Sequence, residues 1–154
     1  MAFIDSRAVN DKIADISITV ACDVTNPLCG KLGASHVYAP QKGATLDDIV
    51  ILDNALSHFA NIASRQNFPD NRNEAGAGAA GGLGFALMTF LSATLTGGFQ
   101  LVSEFSNLEQ MIQQADLVIT GEGKMDFQTS MGKVASGVLS LAKAVNLSLI
   151  HISE

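Results

Sequence analysis

Acids, lysines and glycines crowd the segment Thr120-Gly121-Glu122-Gly123-Lys124-Met125-Asp126, which continues through Gln128, Thr129 and Gly132-Lys133. Gly121 and Gly123 flank Glu122, and residues without a Cβ let the backbone approach a ligand closely. Lys124 and Lys133 can neutralise a phosphate, and Asp126 can take a proton from an attacking hydroxyl. Glu122 or Asp126 can equally hold magnesium, which takes a few carboxylates beside substrate phosphates. Such a set suits phosphoryl transfer; the plain alternative is a solvated turn whose charges do nothing.

A second group closes the apolar run from Ile16 to Cys22: Asp23, then Thr25 and Asn26. A carboxylate there can orient a ligand hydroxyl or hold a metal ion, or it can merely cap the next turn. Lys42, in Pro40-Gln41-Lys42-Gly43, can reach a phosphate from its loop, although most loop lysines are simply solvated. The run from Gly76 to Gly84 precedes an apolar helix signal, so its amides can cradle an anion at a helix N-terminus. Gly76, Gly78 and Gly81 have the spacing of the dinucleotide fingerprint, but Asn67 to Glu74 before them is polar rather than strand-like. No Gly-Lys-Ser/Thr follows, which excludes a Walker A loop. Close helix packing is the structural alternative for these glycines. His36, His58 and His151 form no ligand spacing, and Cys22 and Cys29 read as ordinary buried thiols.

The elements that must position these residues alternate. Ile16 to Cys22 predicts a buried strand, and Thr45 with Asp48 forms a capping box for a helix to about Arg65. Ile49, Leu52, Leu56, Phe59, Ala60 and Ala63 mark that helix's apolar face. Asn67 to Glu74 predicts an exposed loop or flap. Phe85 to Leu95 predicts an apolar helix ending at Gly97-Gly98, Phe99 to Val102 a short strand, and Leu108 to Gln114 a brief helix capped by Asn107. Leu117 to Thr120 predicts a second buried strand, Gly132 to Val145 a helix, and Leu147 to Ile152 a last strand. Strands alternating with helices predict an α/β fold with a mostly parallel sheet, and ligands in such sheets gather at the carboxyl ends of strands.

Composition sets outer bounds. A chain of 154 residues with 47% hydrophobic content can bury one good core. Nine basic against 15 acidic residues argue against nucleic acid as a partner. The longest apolar region, Gly81 to Leu95, is too short to span a membrane and contains Thr89, Ser92 and Thr94. Residues 1–10 lack a signal-type apolar core, and two cysteines make no disulfide framework; a reducing cytoplasm is the expectation.

Four segments, in order, resemble the bacterial glycerate kinase family of the glycerate 2-kinase type. They are Val20 to Leu28, Gly33 to Ala44, Gly76 to Gly84 and Ala115 to Gly123. The resemblance implies an ATP-dependent phosphotransferase acting on glycerate, with magnesium, and often giving the 2-phosphate. It implies two α/β domains with the active site in the cleft between them, in chains more than twice this length. Residues 1–114 would then be the later part of one domain, and residues 115–154 the start of the return into the other. Carried over, the resemblance makes Asp126 and Glu122 catalytic candidates. Asp23, Asn26, Lys42, Gly76, Gly78, Gly81, Gly121, Gly123, Lys124, Gln128 and Lys133 become substrate or nucleotide contacts; no metal ligand is assigned. The family usually has arginine at Lys124 and a small residue at Phe127, and lysine keeps the charge but loses the planar fork. Leu149 to Glu154 resembles translated sequencing-adapter tails, so His151 is given no role. A non-catalytic α/β ligand-binding fragment is the rival reading, and a dinucleotide-dependent enzyme using Gly76 to Gly81 is a third.

Overall fold

The computed structural model describes residues 3–6, 12–13, 15–122 and 133–153. Two compact units make up the chain, Met1–Thr96 and Gly97–Glu154.

In the first unit, strand β1 (Thr19–Ala21) leads through an irregular turn to a short helix α1 (Ala34–Tyr38) and a 3-10 turn, Pro40–Lys42. Gly43 ends that turn at φ 89°, a left-handed position suited to glycine. Helix α2 (Leu46–Arg65) starts at the expected capping box: the Asp48 N–H donates to Thr45 Oγ1 at 3.2 Å and the Thr45 N–H donates to Asp48 Oδ2 at 2.9 Å. Together they satisfy two of the amides a helix start leaves open. The Thr45 hydroxyl and amide also hold the Asp48 carboxyl below the usual carboxylate range. A folded pKa lowered in this way supports the fold above the unfolded carboxylate value and is lost as pH falls. Thr45→Ala is expected to cost about 1 kcal/mol, read as a lower urea midpoint at unchanged slope.

Helix α2 buries its stripe unevenly. Ile49, Ala60, Ile62 and Ala63 are buried, whereas Leu46, Val50 and Ile51 near its start are exposed. Its carboxyl half packs with Leu28, Ala77 and Phe85 into the first core. There the Phe59 and Phe85 rings meet edge-on at 5.8 Å and Phe68 meets Phe90 at 5.0 Å. The turn after α2 reaches back to the amino end: the Ile4 N–H donates to Gln66 Oε1 and Gln66 Nε2 donates to the Ile4 carbonyl.

Residues 67–74 form the exposed, irregular loop the sequence predicts, and it is tied to the fold. Phe68 packs on the core, the Arg72 carbonyl accepts from the Leu28 N–H at 2.8 Å, and Asn71 Nδ2 donates to Thr89 Oγ1. The Arg72 guanidinium bonds both Asp70 and Asn61 on α2, so the segment is polar because it is laced, not because it is loose.

A second 3-10 turn, Ala79–Gly81, precedes helix α3 (Leu83–Leu91). That helix stops sooner than expected. Ser92 is left-handed at φ 51°, and Thr94–Thr96 form strand β2 instead of a last helical turn. Strand β2 pairs parallel with β1, Val20 opposite Leu95, and the ladder extends through Cys22 N–H to the Thr96 carbonyl at 2.8 Å. Backbone pairing thus outweighs the helical spacing of Leu91 and Leu95.

In the second unit the expected strand over Phe99–Val102 is a helix, α4 (Gly98–Phe105), followed by α5 (Leu108–Gln113). A four-residue apolar run has no period that separates helix from strand. Packing decides, because Phe99 lies against Gly137, where a Cβ would run into its ring. Asn107 precedes α5 but makes no side-chain cap; it sits in the left-handed region, φ 52°. Strand β3 (Val118–Glu122), helix α6 (Lys133–Ala144) and strand β4 (Leu149–Ser153) complete the unit. Strands β3 and β4 pair parallel with Thr120 opposite His151, and Ile112, Val138 and Ala142 form the core. Among the described residues both ladders are parallel and helices connect them, as the alternating pattern predicts.

Candidate functional site

The turn that follows β1 is organised by Asn26. Asn26 Nδ2 donates to the Leu32 carbonyl at 2.8 Å, and its Oδ1 accepts from the Tyr38 hydroxyl at 2.6 Å. Its backbone carbonyl accepts from the Gly78 N–H at 2.9 Å. Asn26 therefore joins the strand end, helix α1 and the glycine run, and both polar ends of its side chain are engaged within the chain. Asp23, three residues earlier, is exposed at the same strand end.

The glycine run divides by role. Gly76, Gly78 and Gly84 are buried, and a Cβ on any of them would strike a neighbour: Leu95 and Cys22 at Gly76, the Pro27 carbonyl oxygen at Gly78, and the Gly76 carbonyl oxygen at Gly84. These are the close approaches of the packing alternative. The Phe85 N–H, an early amide of α3, donates to the Ala77 carbonyl at 2.9 Å, so that amide is engaged within the fold. The segment before Gly76 is irregular, which lacks the strand a dinucleotide fingerprint requires. Gly81 differs: it is exposed, with φ 75°, and a Cβ there would meet nothing within 4 Å.

That open position belongs to a cavity of about 190 Å³ framed by α1, the Pro40–Lys42 turn, α2 and Gly81. Ala34, Ala39, Leu52 and Leu56 give it apolar walls, and Ser35, Tyr38 and Lys42 give it polar groups. Lys42, exposed, is the cation among the lining residues. Asn26, Lys42, Gly76, Gly78 and Gly81 are thus gathered in one unit, Gly78 by its bond to Asn26 and Lys42 with Gly81 around the cavity. Ser35 and Tyr38 were not singled out from sequence. The signal available was their place beside Lys42 in Gly33 to Ala44, with Tyr38 the chain's single tyrosine.

Beside this site Asp53 accepts from the Gly30 N–H at 3.0 and 3.2 Å, and His36 Nδ1 lies 3.6 Å from Asp53 Oδ1. Burial, and then the negative charge of Asp53, push the Cys29 thiol up to about 11 from its ordinary 9.0. At pH 8 this cuts the thiolate about a hundredfold, and the greater nucleophilicity of a more basic thiolate offsets about tenfold of that. Cys29 in the folded chain is expected to alkylate with iodoacetamide about tenfold more slowly than in the urea-unfolded chain, read by peptide mass spectrometry. Equal rates would show that the thiol is not shielded.

In the second unit Gly121 and Glu122 end strand β3, and Lys133 begins α6. A Cβ on Gly121 would lie 3.2 Å from the Ile152 carbonyl oxygen of the paired strand. The side chains of Glu122 and Lys133, and all of Gly123, Lys124, Asp126 and Gln128, lie outside the described residues. Among the described residues no three His, Cys, Asp or Glu side chains converge into a group that could hold a metal ion, and no helix is long and apolar enough to cross a membrane.

The family model described as "Glycerate kinase family" matches residues 1–154. "Glycerate kinase" of Bacillus subtilis (strain 168) is 45% identical over 153 residues, covering 99% of this chain and 40% of the relative. "Glycerate 2-kinase" of Escherichia coli (strain K12) is 47% identical over 150 residues, covering 97% of this chain and 39% of the relative. A crystal structure of a protein described as "putative glycerate kinase 2 from Salmonella typhimurium LT2" superposes with a TM-score of 0.91 at 47% identity, covering 99% of this chain and 41% of that one. The chain therefore spans about 40% of the length of the curated relatives it matches.

Proposed function

The chain belongs to the glycerate kinase family, and on that premise we propose that it supplies part of the catalytic apparatus of an ATP-dependent glycerate kinase. The observation that carries the reading is its sustained identity with proteins named glycerate kinase across nearly all of its residues. In this reading a glycerate hydroxyl oxygen attacks the γ-phosphorus of ATP while the bond to the β,γ-bridging oxygen breaks, giving phosphoglycerate and ADP. Asp126 takes the hydroxyl proton, and Lys124 and Lys133 balance charge on the phosphates. The acceptor oxygen is the 2-hydroxyl, in keeping with the name of the Escherichia coli relative. Residues 1–114 and 115–154 fall in different domains of the parent fold; the compact units 1–96 and 97–154 divide this chain by its own contacts.

Magnesium fits this chain as a companion of nucleotide phosphates rather than as the occupant of a protein cage. The former needs only one or two carboxylates, and in the first unit Asp23 lies exposed just beyond β1. When bound, the ion would neutralise charge on the phosphate oxygens. Asn26 acts here by positioning, since its amide is already bonded to Leu32 and Tyr38.

A chimera tests the reading: this chain replaces the matching residues of the Bacillus subtilis relative, and ATP-dependent phosphorylation of glycerate is assayed. Activity within about tenfold of the relative, some 1.4 kcal/mol of barrier, is expected. A chimera that melts cooperatively yet does not phosphorylate glycerate overturns it, in favour of a ligand-binding fragment without the reaction.

A further inference from the structure

We propose that the cavity framed by α1, the Pro40–Lys42 turn, α2 and Gly81 takes the adenine ring of the nucleotide, with Lys42 on its rim toward the phosphates. This rests on the kinase reading above and assigns one part of ATP to one place in the chain. Size comes first. Pockets for whole drug-sized ligands run from about 300 to 1,000 Å³, so a space of about 190 Å³ suits one ring system and not a complete nucleotide.

The walls come next. Ala34, Ala39, Leu52 and Leu56 present aliphatic surface, and Gly81 leaves its side of the cavity open because nothing lies within 4 Å of where its Cβ would be. A flat heteroaromatic ring gains from such walls. A three-carbon hydroxy acid gains less, because it offers little apolar surface to the aliphatic walls, although Ser35, Tyr38 and Lys42 could partner its oxygens. The polar groups are few and suit a ring edge. Tyr38 donates its hydroxyl proton to Asn26 Oδ1 at 2.6 Å, which leaves its oxygen lone pairs to accept from an exocyclic amine. The Ser35 hydroxyl can donate or accept. Lys42 is exposed, so a polyphosphate leaving the cavity would pass a cation as it enters water.

The chain has a single tyrosine, so Tyr38 resonances in a chain labelled with carbon-13 tyrosine report this cavity alone. Adenosine and magnesium-ATP are expected to shift them saturably, ATP binding about tenfold more tightly. Lys42→Ala is expected to remove that difference, while Ala39→Leu fills the cavity and weakens adenosine at least tenfold. Ala39 has helical angles, φ -71° and ψ -35°, so leucine fits the backbone, and an unchanged melting temperature verifies the fold. Tyr38 resonances unmoved by adenosine, or moved by glycerate instead, overturn the proposal, as does Ala39→Leu binding adenosine like the parent. The chimera separates the two claims: activity there beside a silent Tyr38 removes only the adenine placement, and inactivity removes the kinase reading.

Discussion

Gly78→Ala is expected to lower the melting temperature of the chain by roughly 10 °C. Gly78 has φ -78° and ψ -6°, angles that any residue adopts, so the loss comes from space and not from backbone strain. The new methyl would fall on the Pro27 carbonyl oxygen, 3.1 Å from the Asn26 carbonyl oxygen and 3.2 Å from the Ala34 nitrogen. All three are backbone atoms with little freedom to give. The Asn26 carbonyl already accepts from Gly78 itself, and the Ala34 N–H donates to the Leu28 carbonyl at 3.1 Å. Overpacking costs about 1–3 kcal/mol where side chains can shift, and here movement also breaks hydrogen bonds, so about 3 kcal/mol or more is expected. At roughly 2–4 °C per kcal/mol for a chain of this length, that gives the stated fall. Calorimetry on the variant measures it, with Lys31→Ala as an exposed control. A variant melting within about two degrees of the parent would remove Gly78 from the packing glycines and reopen it as a ligand contact.

Asp126→Asn in the chimera is expected to lower kcat by about a hundredfold to ten-thousandfold, with KM for glycerate changed far less. Asparagine keeps the shape and the hydrogen-bonding reach of the side chain but cannot take the hydroxyl proton. An effect confined to kcat is the mark of an interaction made in the transition state; a rise in KM alone would make Asp126 a binding residue. Turnover near that of the parent chimera would remove Asp126 from the catalytic list and turn attention to Glu122. Lys124→Arg is the informative companion, because a planar fork can grip a phosphate in two places where an ammonium cannot.

Much of the fold was legible because its signals were local. The capping box at Thr45 and Asp48 needs only two residues three apart, and α2 follows from it. The parallel pairing followed from alternation of strands and helices. What was misread depended on partners distant in sequence. Leu95 has helical spacing from Leu91, yet it pairs with Val20 across a crossover, and no local pattern announces that. Phe99 to Val102 is helical because Phe99 meets Gly137, again a distant contact. The candidate site divides similarly. Asn26, Lys42 and the glycines stood out by type, whereas Ser35 and Tyr38 became visible only once α1 brought them beside Lys42. The spacing of Gly76, Gly78 and Gly81 suggested one shared role, and the backbone gives them two.

Asn26 also has a consequence for how the chain opens. Two neighbouring segments, the turn at Leu32 and the helix at Tyr38, and one distant segment, the glycine run at Gly78, close on one residue. Each is held by its own bond to Asn26, two through the side chain and one through the backbone carbonyl, so any one can open alone, whereas loss of the Asn26 side chain loosens the first two together. The turn after β1 and the glycine run are thus joined through a single residue, although α1 and α2 lie between them in the chain.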